Sequence, residues 1–401
     1  MNTRFKRFLE SLVEGLLTIS GTVTTFTVLL IVLFLFREGA SLFSTSPVEN
    51  NNLLVVHAGN PVSHLSATQC KDIFDQKITH WNEIGGKPDS IRIVTINELT
   101  NYFSEEELGA EFEFLPDRIN QLVDSFPDIL AVINAKYRNA SFPGKIIEID
   151  KNNLPDFLGG KEWFPTAEPV VQLGVLPLIL GTLMVSIFAI LFALPIGLAT
   201  AIYLAEVADE RVRKVLKPVI ELLAGIPSVV YGFFGLIVIV PMIHDVFQLP
   251  VGETALAGSI VLAIMALPTI ITVSEDAIRN TPRAMKEASL ALGANRWQTI
   301  HRVVIPYSIS GISAAAILGI GRAIGETMAV LMVTGNAAVI PHSLLQPVRT
   351  IPATIAAELG EAPQGGVHYK ALFALGCILF LLTMLINLWV ESISRKQKRH
   401  R

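Results

Sequence analysis

The chain has 401 residues, of which 51% are apolar and only 16% charged, against roughly a quarter charged in soluble domains. That composition excludes an ordinary soluble protein, and the formal net charge is −4. Two cysteines, Cys70 in a polar segment and Cys377 in an apolar one, are too few and too dispersed for a disulfide framework.

Six stretches approach the roughly 20 apolar residues that cross a bilayer: Leu16–Phe36, Val175–Leu204, Ile220–Met242, Leu256–Val273, Ile309–Val333 and Ala371–Val390. The first is too long for a signal-peptide core and lacks a small-residue cleavage site, so it reads as a retained anchor. Basic residues set the orientation. Arg4, Lys6 and Arg7 precede the first span, and Arg395, Lys396, Lys398, Arg399 and Arg401 follow the last. An even number of spans puts both ends on one side, the cytoplasm. The segments after the second span (Arg211, Arg213, Lys214, Lys217) and the fourth (Arg279, Arg283, Lys286, Arg296, Arg302) then also face inward.

Between the first two spans, Glu38 to Pro169 carries 20 Asp and Glu against 10 Lys and Arg, a net of −10, which leaves +6 on the remainder. The outer stretch is acidic and the membrane part basic. Leu53–His57 and Ile91–Ile96 read as strands. Between them Ser66 and Gln69 form a capping box for a helix running to about Gln76, followed by a Gly85-Gly86 turn. The unit predicts an α/β fold. The run Leu65–Val94 resembles a piece of the phosphate-type periplasmic binding proteins, over about a quarter of the stretch. The Ser-Gly-Thr helix start by which those proteins hold their anion does not occur between Ile96 and Asp156, so a non-binding remnant, a docking surface and a ligand site all stay open.

The next informative segment lies between the fourth and fifth spans. Thr281 as N-cap with Pro282 in the first turn predicts a helix start, Gly293 ends that helix, and a second helix begins near Asn295. Two short helices joined at a glycine make a protrusion suited to a cleft on a soluble partner. Glu287-Ala288-Ser289, then Gly293, then Val303-x-Ile305-Pro306 resembles the EAA signature of ABC-importer permeases, which insert this hinge into their ATPase subunit; Ser289 stands where that signature has a second alanine. No Gly-x-x-x-x-Gly-Lys-Ser/Thr phosphate loop occurs in the chain, so the expectation is a subunit without enzymatic activity of its own.

Three further runs, Glu221–Gly232, Gly321–Val330 and Phe157–Thr166, resemble phosphate permeases of the PstC type. The resemblance spans Phe157 to Val390 and the first helix. It implies a six-helix type I ABC-importer permease, all-α in the membrane, carrying an inserted α/β periplasmic domain. The expected divisions are 1–43, the N-terminus and first span; 44–156, the insertion; 157–394, the permease core with its docking segment 281–306; and 395–401, a basic tail. It further implies a second permease of the PstA type, two ATPase subunits, a periplasmic phosphate-binding protein, inorganic phosphate as cargo, a place in the inner membrane among lipid, no nucleic-acid partner and no cofactor on this chain. Glu287, Ala288, Ser289, Gly293 and Pro306 would dock the ATPase.

Arg322, Glu326 and Thr327 are the candidate residues of the translocation path. A charge near mid-bilayer costs about 2.5–3.5 kcal/mol on insertion scales, and a spacing of four places Arg322 and Glu326 on one helix face, where they can pair. Either the guanidinium contacts the passing oxyanion through paired hydrogen bonds with Glu326 neutralising the empty site, or the two form a structural ion pair. Pro177, Pro195, Pro227 and Pro268 are expected to interrupt helices, and Gly319, Gly321 and Gly325 to admit a neighbouring helix closely. Competing classes are a permease for sulfate or molybdate and a membrane-anchored sensor. The Gly321–Val330 run argues against the first, and only Glu391–Arg401 follows the last span, too short for a signalling region.

Overall fold

The structure is a computed structural model and describes residues 3–48, 52–109, 112–139 and 141–399. The terminal basic side chains (Arg4, Lys6, Arg7 and those from Arg395 onward) lie outside what it describes. Among the described residues, six helical stretches are long and apolar enough to cross a membrane: Leu12–Ser44, Leu176–Val207, Ser228–Phe247, Ala255–Arg279, Arg296–Gly325 and Val367–Ser392. The chain forms two units. One comprises Met1–Leu154, Pro165–Val171 and Pro363–Cys377, the other Pro155–Phe164, Gln172–Ala362 and Ile378–Arg401.

The first unit opens with helix α1 (Thr3–Ser41). Its hydroxyls at Thr18, Thr22, Thr24, Thr25 and Thr27 each donate to the carbonyl four residues back, which satisfies them without water. There follow β1 (Asn52–Val56), β2 (His64–Leu65), α2 (Ala67–Phe74), β3 (Arg92–Val94), α3 (Glu105–Leu108), α4 (Leu115–Ser125), β4 (Ile129–Asn134) and β5 (Lys145–Ile149). The five strands form one sheet, ordered β2-β5-β1-β4-β3. β1 runs antiparallel to β4 and β5, while the edge strands β2 and β3 run parallel to their neighbours.

Strand alternation buries both sheet faces. Val55, Ile129, Ala131 and Ile133 pack with Ile119 and Leu122 of α4. Leu54, Val56 and Leu130 pack with Cys70 and Ile73 of α2 and with Trp81. The α/β expectation is met, and so is the capping box: Gln69 N donates to Ser66 Oγ at 3.1 Å and Ser66 N to Gln69 Oε1 at 3.0 Å. The helix stops at Phe74 rather than near Gln76, because Gln76 takes a left-handed φ of +58°. The second strand is shorter than Ile91–Ile96, since Glu98 Oε2 accepts from Thr95 N at 2.8 Å and starts a tight turn at Ile96.

The second unit contains α5 (Leu154–Gly159), β6 (Trp163–Phe164), β7 (Gln172–Leu173), α6 (Leu176–Ile202), α7 (Glu210–Ala224), α8 (Ser228–Phe234), α9 (Val240–Phe247), α10 (Ala255–Arg279), α11 (Arg283–Ala291), α12 (Arg296–Thr299), α13 (Ile305–Gly325), α14 (Met328–Val333) and α15 (Ile351–Glu358). The last helix, α16 (Val367–Arg399), begins in the first unit. There Gly39 of α1 lies against Cys377, and Phe34 meets Phe373 edge-on with ring centroids 5.6 Å apart. Wider π-helical turns occupy Tyr203–Val207, Gly235–Ile239 and Ile300–Val304.

The core of this unit is made by α6, α10 and α14, with Val185, Ala189, Val261, Leu262, Met265, Val330 and Val333 buried together. Glycine lets α13 approach α10: a Cβ on Gly319 would stand 3.0 Å from Ile270. Gly321 and Gly325 face open space instead, so only the first of the three predicted close approaches exists. The prolines also divide. Pro195 and Pro268 sit inside continuous helices and Pro177 in the first turn of α6, whereas Pro227 separates α7 from α8. The third span therefore begins at Ser228 rather than Ile220, because a residue before proline is driven out of the α region and Gly225-Ile226-Pro227 ends α7.

Candidate functional site

The predicted fifth span, Ile309–Val333, is two helices. α13 ends at Gly325, Glu326 is extended with ψ 132°, and α14 begins at Met328. The break separates the charged pair, and this corrects the expectation that Arg322 and Glu326 share one helix face. Glu326 Oε1 accepts from the Ala329 backbone N–H at 3.4 Å, a carboxylate on the free amides at a helix start, where the dipole favours it. It lines a narrow interior crevice, too small to hold a water molecule, with Thr182 and Ser186 of α6, Leu262 of α10, Val330, and Thr350 and Pro352 at the start of α15. Thr327 donates to the Gly325 carbonyl at 3.3 Å. Arg322 stays on α13, half-buried, within electrostatic reach of the Tyr231 phenol on α8. Among the described residues no side chain forms an ion pair or hydrogen bond with it.

The segment 281–306 takes the predicted hairpin form. Gly293 has φ +88° and open space around its α-carbon. Its N–H donates to Leu290 O at 2.9 Å and that of Ala294 to Ser289 O at 3.2 Å, the paired bonds of a Schellman stop. Asn295 then caps α12, its Oδ1 accepting from Gln298 N at 2.8 Å. Ser289 and Thr299 share a hydroxyl–hydroxyl bond of 3.0 Å that holds the two helices together. Glu287 and Ala288 are exposed, as are Leu292 (91%) and Trp297 (65%). The helix start differs from expectation: α11 begins at Arg283 with Pro282 at its cap. Thr281 is buried and bonded to Ser308 at 3.1 Å, and Ser308 donates to Ala277 O at 3.0 Å. Pro306 lies in the first turn of α13.

Residues 193–399 match the family model of the binding-protein-dependent transport system inner membrane component. The chain belongs to this family. The permease is 43% identical over 244 residues to the probable ABC transporter permease protein YqgH of Bacillus subtilis, which covers 61% of this chain and 78% of that one. It is 41% identical over 249 residues to the phosphate transport system permease protein PstC of Mesorhizobium japonicum, covering 57% and 75%. A solved structure of the MetNI methionine ABC transporter in an inward-facing conformation aligns at 19% identity over 58% of the permease and 99% of that chain, with a TM-score of 0.44.

Two charged clusters of the permease were not anticipated from its sequence. Glu275, on the last turns of α10 and 1% exposed, meets Arg213 at 2.9 Å and Lys217 at 3.1 Å, both from α7, and Arg279 at 3.6 Å. Burial disfavours the Lys217 ammonium, but the bonds to Glu275 and Asp276 outweigh it and hold that lysine above its ordinary pKa. Arg213 and Lys217, four apart on one face of α7, were the available signal. The second cluster joins Glu358 at the end of α15 to Arg349 at 2.9 Å and to the indole N–H of Trp163 at 3.1 Å. It explains the Phe157–Thr166 run. Gly160 and Gly174 lie back to back where any Cβ would collide, which seats the β6–β7 hairpin and buries Trp163.

Proposed function

We propose that the permease is the membrane subunit of an ATP-driven importer of inorganic phosphate and forms the translocation path with a second permease of the PstA type. One observation carries the reading: a half-buried Arg322 guanidinium without an ion-pair or hydrogen-bond partner among the described residues, inside a membrane helix of a chain 41% identical over 249 residues to a phosphate permease. A guanidinium binds oxyanions through parallel hydrogen bonds, and an unpaired charge in a membrane span marks a path or a buried interface. Arg322 is assigned to contact with the anion. Glu326 and Thr327, at the break beside it, are assigned to the wall of the path. Glu326 acts by its negative charge near the anion, opposing retention, rather than by pairing with Arg322.

In this reading Glu287, Ala288, Ser289, Gly293 and Pro306 belong to the docking element for a separate ATPase pair, which hydrolyses ATP while this chain does no chemistry. A periplasmic phosphate-binding protein delivers the cargo. Both termini face the cytoplasm, and the α/β insertion, 44–156, faces outward. The test is Arg322→Gln in the reconstituted complex. Phosphate uptake is expected to vanish while assembly and ATP hydrolysis persist; failure to assemble would assign Arg322 to a structural contact with the partner permease.

A further inference from the structure

Among the described residues, three bonds between side chains involve the hairpin 281–306. Two of them, Thr281–Ser308 and Ser289–Thr299, join segments that the chain already makes neighbours. The third does not. Lys286 on α11 donates to the carboxylate of Glu206, 80 residues away, at the end of the α6 span, and both side chains are largely shielded, at 22% and 13% exposed. Glu206 lies in the π-helical turn Tyr203–Val207. A second π turn, Ile300–Val304, leads out of the hairpin into α13, and Ala205 of the first packs in one cluster with Val304 of the second and Ile278 of α10. π turns are rare single-turn bulges that occur frequently at functional sites. From Glu206, α6 runs about 30 Å to Ser186, which lines the crevice around Glu326.

We infer that the Lys286–Glu206 pair is a positioning link that passes movement of the hairpin into α6, and through α6 to the wall of the Glu326 crevice. The inference rests on the reading of 281–306 as the ATPase docking element. In its terms the hairpin drives α13 through the chain itself, whereas α6 meets the exit turn of the hairpin through apolar packing at Val304, which permits sliding, and is tied to α11 by this ion pair. Without the pair, ATP hydrolysis continues and α6 no longer answers to it.

The experiment uses the assembled complex in proteoliposomes, with Cys70 and Cys377 replaced by serine and a single reporter, Ile187→Cys, at an exposed position of α6 next to Ser186. Lys286→Ala and Glu206→Ala are expected to keep assembly and ATP hydrolysis. Phosphate moved per ATP should fall about tenfold, an allosteric coupling of ordinary size, and the ATP-dependent change in thiol labelling at the reporter should disappear. Lys286→Arg, and the exchange of Lys286→Glu with Glu206→Lys, should restore both readouts. Unchanged transport per ATP in the alanine variants, or an exchange no better than either single charge reversal, overturns the link. A parent complex that shows the labelling change but moves no phosphate would sink the cargo assignment and leave the link standing.

Discussion

The Glu275 cluster predicts a pattern of non-additivity that can be worked through from its geometry. Glu275 is 1% exposed, while Arg213, Lys217 and Arg279 keep 24%, 28% and 44% of their side chains in contact with solvent. The carboxylate is thus the member that depends on its partners; each cation can find water. Arg213→Ala leaves Lys217 at 3.1 Å, and Lys217→Ala leaves Arg213 at 2.9 Å. Each single change should cost about 1–2 kcal/mol, one charge contact whose cation is partly hydrated. Removing both leaves Arg279 alone, at 3.6 Å and the most exposed of the three. The double variant then holds a nearly uncompensated buried charge, which costs about 3–5 kcal/mol. Adding Glu275→Gln to that double variant should recover most of the loss, since the charge is what needs compensation.

Amide hydrogen exchange of α7 in the solubilised complex reads this locally, because the cluster is what ties α7 to α10 and exchange reports the free energy of local opening. At about tenfold per 1.4 kcal/mol, the double variant should exchange about two to three decades faster than the parent, and the triple variant should slow again. Strict additivity of the two singles, together with no rescue by Glu275→Gln, would refute the claim that a buried charge organises this corner.

Two further outcomes follow from the same geometry. Gly293→Ala places a side chain at φ +88°, where an L-residue is strained by about 1–2 kcal/mol; with no neighbouring atoms to clash, assembly with the ATPase should weaken modestly, measured as a reduced association constant, and an unchanged constant would show the turn is not held rigidly. The Lys217 pKa is raised on folding, so its contribution to stability is complete below the unfolded lysine pKa and is lost as pH climbs through the folded value. The difference in melting temperature between the parent and Lys217→Met should therefore stay flat from neutral pH to about 10 and shrink above it, and a difference that grows with pH would contradict the assignment.

What was legible in the sequence was local. The Ser66–Gln69 box, the Gly293 stop and the Asn295 cap each rest on residues within four positions of one another, and each forms at hydrogen-bond distance. The strands beginning near Leu53 and Ile91 were legible as short apolar runs. Long-range relations were not. Glu275 and Lys217 are far apart in sequence, and an acidic residue at the end of an apolar run reads as a span boundary rather than as the centre of a cluster. The prolines show the same limit: Pro195 and Pro227 carry the same local penalty, yet α6 continues through the first while the chain turns at the second, where Gly225 and Ile226 precede it.

The break at Gly325 was misread for a related reason, and it bears most on function. Apolarity from Ile309 to Val333 implied one helix, and a helix would have put Arg322 and Glu326 in contact. A contacting pair neutralises itself, and an anion would have to compete with Glu326 for the guanidinium. The extended backbone at Glu326 removes that competition by committing the carboxylate to the Ala329 amide. Arg322 stays on the last turn of α13, and Glu326 is held beyond the break, in a closed space that it shares with Thr182 and Ser186. In the proposed reading, separation of this kind would let the cation attract an oxyanion while a fixed negative charge nearby limits how tightly it stays, which a salt bridge would not provide. The geometry therefore predicts that the two residues act unequally. Glu326→Gln should retain the fold of α14, because an amide oxygen still accepts from Ala329, and should raise affinity for phosphate while slowing its release. Arg322→Gln should remove transport altogether. Equal loss of uptake in both variants, with no change in phosphate affinity for Glu326→Gln, would return the pair to a single structural unit.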